Sequence, residues 1–231
     1  MKRKYILLNL ILFVFLILST TTLSVLAVTP KLELIPACQS VNQGSQATIE
    51  VVIKDVTDLK VANITLNFDA SELQYVSSAD GGFIPNASLL EQWDNTNGTL
   101  NLDIAGMGAS AYASGNGTIF SVVFIWSGTA ATNICFGTTI LRDKNNNIIY
   151  HNTGDCCTIC SLPGDFNGDC VVDFEDLMIF AMAYGSCSGD IIWNPICDIA
   201  SSGGLLTPDG CIDFDDLMVF SMHYGETCAD L

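Results

Sequence analysis

The sequence predicts two unlike units in one chain, a mainly β sandwich followed by a small all-α unit. From Lys31 to about Tyr150 the apolar residues recur with period two. Beyond Gly164 a segment with a helical period occurs twice. Between them, Asn152 to Gly164 is rich in Gly, Cys, Thr and Pro and has no period, which reads as a linker. The order of strands followed by helices, without alternation, argues for separate β and α units.

Each strand is legible by alternation. Ile49, Val51 and Ile53 interleave with Thr48, Glu50 and Lys54. Ile64, Leu66 and Phe68 interleave with Thr65, Asn67 and Asp69, and Leu100, Leu102 and Ile104 with Asn101 and Asp103. Such segments bury one face and wet the other. Turns at Asp80-Gly-Gly, Asn97-Gly98, Asn116-Gly117 and Asp143 to Asn147 separate them, so two packed sheets are expected. Ile119 to Trp126 is apolar on both faces, as in a central strand; the alternative is an exposed apolar face that docks a partner.

The helical segment at 172–185 returns at 212–225, with Asp-Phe-Glu-Asp-Leu-Met in the first copy and Asp-Phe-Asp-Asp-Leu-Met in the second. Phe174, Leu177, Met178, Ala181 and Tyr184 share a face, as do Phe214, Leu217, Met218, Ser221 and Tyr224. These faces are expected to be buried against one another. Gly185 and Gly225 stand where each helix would stop.

At the start of the chain, Lys2, Arg3 and Lys4 precede an apolar run from Ile6 to Leu18, and compact residues at 24–27 suit cleavage after Ala27. That is the order of a secretory signal peptide, with an uncleaved anchor as the alternative. The formal net charge is −17, and beyond residue 27 only Lys31, Lys54, Lys60, Arg142 and Lys144 stand against 25 acids. Such a surface repels nucleic acid and anionic lipid and attracts cations. No later segment is long and apolar enough to span a bilayer, so no membrane contact is expected beyond the signal peptide. Ten cysteines outside the cytosol imply disulfides, whose connectivity spacing does not give. Cys157-x-x-Cys160 also fits a redox or zinc pair, but lacks a βαβ context and a histidine pair. The chain thus divides into a signal peptide at 1–27, a sandwich at 28–155, a linker at 156–163 and the repeated unit at 164–231. Asn63, Asn86, Asn97 and Asn116 begin N-x-Ser/Thr sequons, which matter only in a host that glycosylates.

The chemistry precedes each helix. Asp165, Asn167, Asp169, Asp173 and Asp176 hold positions 1, 3, 5, 9 and 12 of a loop, and the Val171 carbonyl holds position 7. Alternate oxygens at this spacing wrap a calcium ion, and carboxylates so closely placed would repel without one. Asp176 is shorter than the glutamate usual at position 12. Counting back from Asp216 gives Asp213 at 9, the Cys211 carbonyl at 7, Gly210 at 6 and Asp209 at 5. The first ligand of this second loop is then Asp198, with Ala200 to Pro208 as an insertion. A second, weaker calcium site follows, its missing Asn replaced by Ser201, Ser202 or a carbonyl.

Ser161-Leu-Pro-Gly and Trp193-Asn-Pro-Ile block any helix before either loop, so these are loop–helix units and not full EF-hands. The duplicated loop–helix at 163–225, opening with Gly-Asp-Phe-Asn-Gly-Asp, resembles a type I dockerin. That resemblance implies two bound calcium ions and a helical face that grips a cohesin-bearing protein. Cys170 departs from it, standing where position 6 expects glycine; a disulfide would hold that turn. The positions that select a dockerin's partner fall on Phe174, Glu175, Ala181 and Met182, and on Phe214, Asp215, Ser221 and Met222. They are apolar or acidic where Ser, Thr and basic residues are common.

The first unit resembles a cohesin through Asp55-Val-Thr-Asp-Leu, Ile64-Thr-Leu-Asn-Phe-Asp, Leu73-Gln-Tyr-Val, Asp80-Gly-Gly-Phe, Gly117-Thr-Ile-Phe-Ser-Val-Val-Phe and Leu141-Arg-Asp-Lys-Asn-Asn-Asn. This implies a jelly-roll sandwich that binds dockerin-bearing proteins on one sheet face. The expected function is a secreted, non-catalytic scaffold in extracellular or cell-surface complexes, in the setting of polysaccharide breakdown. The alternative is a carbohydrate-binding sandwich carrying a dockerin, with Trp93, Tyr112 and Trp126 as its aromatic candidates. His151 and His223 are the only histidines, and no Gly-x-Ser-x-Gly, zinc-binding His pair or phosphate loop is present. An enzyme is not expected.

Overall fold

The computed structural model describes residues 28–203 and 205–231, and the expected signal peptide lies outside them. Strands run in chain order as β1 (Lys31–Ile35), β2 (Cys38–Ser40), β3 (Gln46–Asn67), β4 (Leu73–Asp80), β5 (Ala87–Asp94), β6 (Thr99–Gly106), β7 (Ala113–Trp126), β8 (Thr132–Asp143), β9 (Ile148–Ile149), β10 (Asn152–Thr153) and β11 (Cys157–Cys160). Two helices follow, α1 (Phe174–Ala183) and α2 (Phe214–His223), and a short 3-10 turn closes the chain at Cys228–Asp230.

Strand β3 belongs to two sheets. Its first half, up to Ile53, lies between β1 and β7; its second half, from Val61, lies between β6 and β8. The crossing occurs where Asp55 and Asp58 both take φ of 56°, beside register shifts against β7. Aspartate tolerates this left-handed backbone better than most residues. Asn116 Oδ1 and Ser114 Oγ accept the backbone N–H groups of Asp55 and Asp58 at 2.7 and 2.8 Å, so the bulged donors stay paired. One layer is therefore β10-β1-β3-β7-β4 and the other β5-β6-β3-β8-β11-β2.

The period-two residues meet between the layers. Ile49, Val51, Ile53, Ile64, Leu66, Leu100 and Leu102 are fully buried, joined by Phe120 and Phe124. Each such side chain contributes about 2 kcal/mol of hydrophobic stabilisation. Strand β7 is interior to its sheet, flanked by β3 and β4, and Trp126 is buried. Gly98 has φ of 66°, and a Cβ there would meet the Phe68 carbonyl oxygen at 1.8 Å, so only glycine fits this turn.

Two expectations are corrected. The 156–163 stretch, expected to be a linker, contains β11, which pairs antiparallel with β8 and parallel with β2. Cys157 and Ile159 join the sandwich core while Cys160 and Leu162 join a second core beneath the helices. A strand of four residues, Cys-Thr-Ile-Cys, buried at all but Thr158, is too short to show an alternation. The second correction concerns the helix faces. Phe174, Met178 and Tyr184 are exposed, as are Phe214 and Tyr224, and the buried face of α1 is Asp176, Phe180 and Ala183. Both helices are apolar over much of their circumference, so period alone did not choose the face. Asp176 chooses it: its carboxylate must turn into the preceding loop, and Phe180 and Ala183 follow at i+4 and i+7 on that side.

Phe166, Phe180 and Phe220 stack with centroids 5.8 to 6.0 Å apart and form the centre of this second core. The unit has internal two-fold symmetry. Val171 of the first loop bridges Thr227 beyond α2, and Cys211 of the second loop bridges Cys187 beyond α1. Gly185 and Gly225, with φ of 80° and 89°, end the helices as expected.

Candidate functional site

Both loops are built by the same hydrogen bonds. In the first, Asp165 accepts from the N–H groups of Gly168 (2.8 Å), Asp169 (3.2 Å) and Cys170 (2.8 Å). Asp169 Oδ1 accepts from Val171 N–H, and Asn167 Oδ1 from Asp169 N–H. Asp176, with no exposed surface, accepts from the N–H groups of Phe166, Asn167 and Asp173. Asp173 caps α1 by accepting from Glu175 N–H, and with Asp176 forms a reciprocal capping box.

The second loop repeats this with different chain lengths. Asp198 accepts from Asp209 and Gly210 N–H, as Asp165 does from Asp169 and Cys170. Asp216 accepts from the N–H groups of Ile199, Ala200 and Asp213, and Asp209 from that of Cys211. Asp198 thus stands in the place of Asp165, and within the insertion Ser201 and Leu205 bridge each other. Asp213 caps α2 through Asp215 N–H, at 2.9 Å.

Asp176, Asp198 and Asp216 are buried carboxylates, yet the ion pairs among the described residues all lie elsewhere. Burial raises the Asp165 carboxyl above the usual range, the N–H groups of Cys170 and Gly168 oppose this, and the charges of Asp176 and Asp169 add to it. The donors are hard oxygens in the order a calcium loop uses, with backbone N–H groups aiming them, and their chemistry fits that ion. Among the described residues, the only group of three or more acid, His or Cys ligand atoms all within 4.8 Å of one another is the sulfurs of Cys38, Cys160, Cys170 and Cys228. No three carboxylates of the described loop residues are gathered that closely.

Those four sulfurs form the joint between the units, which sequence reasoning missed. Cys38–Cys170 ties β2 to the first loop, and Cys160–Cys228 ties β11 to the closing turn. Cys135–Cys156 lies within the sandwich and Cys187–Cys211 within the helical unit. Cys157 and Cys197 are buried and unpaired, which excludes the Cys157–Cys160 pairing of a redox motif.

On the sandwich, the outer face of β5-β6-β3-β8 carries aligned rows. Leu90, Asp103, Asn63 and Ile140 form one, and Gln92, Asn101 and Thr65 the next. Asn63 donates to Asp103, and Thr65 to Asn101 at 2.7 Å. Leu90 is 70% exposed and Ile140 39%, so apolar side chains flank a polar centre. The aromatic candidates do not share a plane of this kind. Trp93 packs on Tyr75, Tyr112 lies under the Lys144 ammonium, and Trp126 is internal. His151 is held by the Ile149 carbonyl and Thr139, and His223 by Glu226.

Among solved structures, a type II cohesin domain from the cellulosome of Acetivibrio cellulolyticus is similar, with 20% identity and a TM-score of 0.51 over 57% of this chain and 95% of that one. A type I cohesin–dockerin complex from Clostridium thermocellum contains a chain at 12% identity and a TM-score of 0.51, covering 58% of this chain and 99% of that one. A Clostridium acetobutylicum cohesin, also in complex with a dockerin, gives 19%, 0.52, 58% and 99%. At these identities the likeness carries the fold. No curated protein matches the chain. The cohesin domain family matches residues 34–156, the stretch that builds the sandwich, and the chain belongs to the cohesin family.

Proposed function

We propose that the protein is an exported, non-catalytic adaptor, which receives a dockerin-bearing protein on its sandwich and offers a calcium-dependent dockerin-like unit to a cohesin-bearing one. The observation that carries this is a cohesin sandwich joined to two symmetry-related acidic loop–helix units. The solved relatives in complex with dockerins support the first half of the reading. The β5-β6-β3-β8 face, with its polar rows between Leu90 and Ile140, is the receiving surface.

In the second half, Asp165, Asn167, Asp169, the Val171 carbonyl, Asp173 and Asp176 hold one calcium ion. Asp198, Asp209, the Cys211 carbonyl, Asp213 and Asp216 hold another. A bound ion supplies the positive charge that these carboxylates lack. Asp176 and Asp216 then transmit loop geometry to the helices, because each completes the capping box of its helix and lies on its buried face. The opposite faces present Phe174, Met178 and Met182, and Phe214 and Met222, all more than half exposed, to a partner. Four disulfides suit an oxidising compartment outside the cytosol.

The test is capture by the immobilised full chain, with calcium or chelator, from three panels: dockerin-bearing proteins, cohesin-bearing proteins and insoluble polysaccharides. Retention of members of both protein panels, with the cohesin-bearing set lost in chelator, is expected. Retention of polysaccharide alone would replace the adaptor with a carbohydrate-binding module.

A further inference from the structure

The two loops differ at one position in a way that their common hydrogen bonding makes conspicuous. Position 6 requires a left-handed backbone in both: Gly210 has φ of 94° and Cys170 φ of 73°. Glycine adopts this freely, whereas a residue with a Cβ resists it. The Cys170 N–H is one of the donors that aim Asp165, the first oxygen of the loop, at 2.8 Å. If Cys170 relaxed to negative φ, that donor would turn away.

What surrounds Cys170 opposes such relaxation. Its sulfur is bonded to Cys38 on β2, a strand fixed by three register pairs with β11. Its carbonyl accepts from Cys228 N–H at 3.1 Å, and Cys228 is itself bonded to Cys160 at the end of β11. The sandwich therefore grips position 6 twice, by the sulfur directly and by the backbone through Cys228. In loop 2 the matching carbonyl, that of Gly210, accepts from Ser188 N–H at 2.6 Å, a hold that comes from the helical unit and not from the sandwich. The disulfide of loop 2, Cys187–Cys211, stays within the helical unit.

We infer that Cys170 is a positioning residue for the first calcium loop, and that the Cys38–Cys170 bond makes the sandwich the template that keeps this loop in a binding conformation. The inference rests on the calcium reading above. It makes the two halves one device: the first site depends on the cohesin fold beside it, while the second is held by its own glycine and by contacts within the helical unit.

The test is calcium titration calorimetry on the full chain carrying Asp209→Ala, so that only loop 1 titrates. In this background, Cys38→Ser with Cys170→Ser removes the bond and keeps a Cβ at position 6; Cys38→Ser with Cys170→Gly removes the bond and the Cβ. The serine pair is expected to bind calcium about tenfold more weakly than the parent, and the glycine pair to return to within about threefold of it. Parent-like affinity in the serine pair overturns the inference. So does a loss that glycine fails to restore, for the bond would then act by tethering and not through the backbone of Cys170. Absence of calcium binding in the Asp209→Ala parent is a separate result, and removes the calcium reading of loop 1 itself.

Discussion

Asp176 shows how much one side chain settles. Its carboxylate has no exposed surface, accepts three backbone N–H groups and fixes the rotation of α1. Asp176→Ala leaves those donors unpaired and is expected to cost about 3 kcal/mol, measured as a shift in the chelator-treated thermal midpoint of the helical unit. A midpoint equal to the parent's would mean that the loop does not depend on it. The free thiols make a second prediction at this scale. Burial pushes Cys157 from 9.0 up to about 12. Burial, with the charges of Asp216 and Asp176, does the same to Cys197. Folding keeps these thiols protonated, so their contribution to stability is whole below about pH 9 and is lost as pH rises towards 12. Iodoacetamide at pH 8 is expected to leave both unmodified in the folded chain and to label both in denaturant. Labelling of the native chain at the denatured rate would contradict their burial.

In the proposed function, helices and strands divide the binding work between them. The outward faces of α1 and α2 are apolar and nearly identical, with Met182 76% and Met222 70% exposed. Because these side chains are largely exposed, Met182→Asp with Met222→Asp is expected to change stability by no more than about 0.5 kcal/mol per site. The same pair is expected to weaken capture of a cohesin-bearing partner about tenfold or more. Unchanged capture would place the contact elsewhere. Leu90→Asp is the matching change on the sandwich. It sits in the outer row of β5 and is expected to spare the fold while reducing capture of dockerin-bearing proteins. These faces were only half legible beforehand. The alternation in β3 and β6 identified their buried sides correctly, because an inward Ile or Leu and an outward Asn or Thr differ sharply. The helices misled, because Phe, Leu and Met, with Ile in one and Val in the other, surround most of each one and a period cannot rank equivalent apolar faces.

At the scale of the molecule, the joint makes the chain behave as two linked bodies. The segment from Ser161 to Gly164 leads from β11 into the first loop, with Cys38–Cys170 and Cys160–Cys228 bridging the units on either side of it. Cleavage within that segment is expected to leave the halves together on a non-reducing gel and to part them after reduction; separation without reductant would rule out both crossings. Among the described residues no helix is long and apolar enough to cross a membrane. From the residues alone came the sandwich, through the alternation around Ile49, Ile64 and Leu100, and the paired loop–helix units, through the repeated Asp-Phe-x-Asp-Leu-Met. Both are local periodic signals, and local backbone chemistry produces them. The partners of the cysteines, the role of Cys157–Cys160 as a strand and the inward face of each helix depended on which surfaces meet. Residues as distant in the chain as Cys38 and Cys170 become neighbours only when β2 and β11 pair, and no spacing rule carries that information, because sulfur bonding follows proximity in space and not order along the chain.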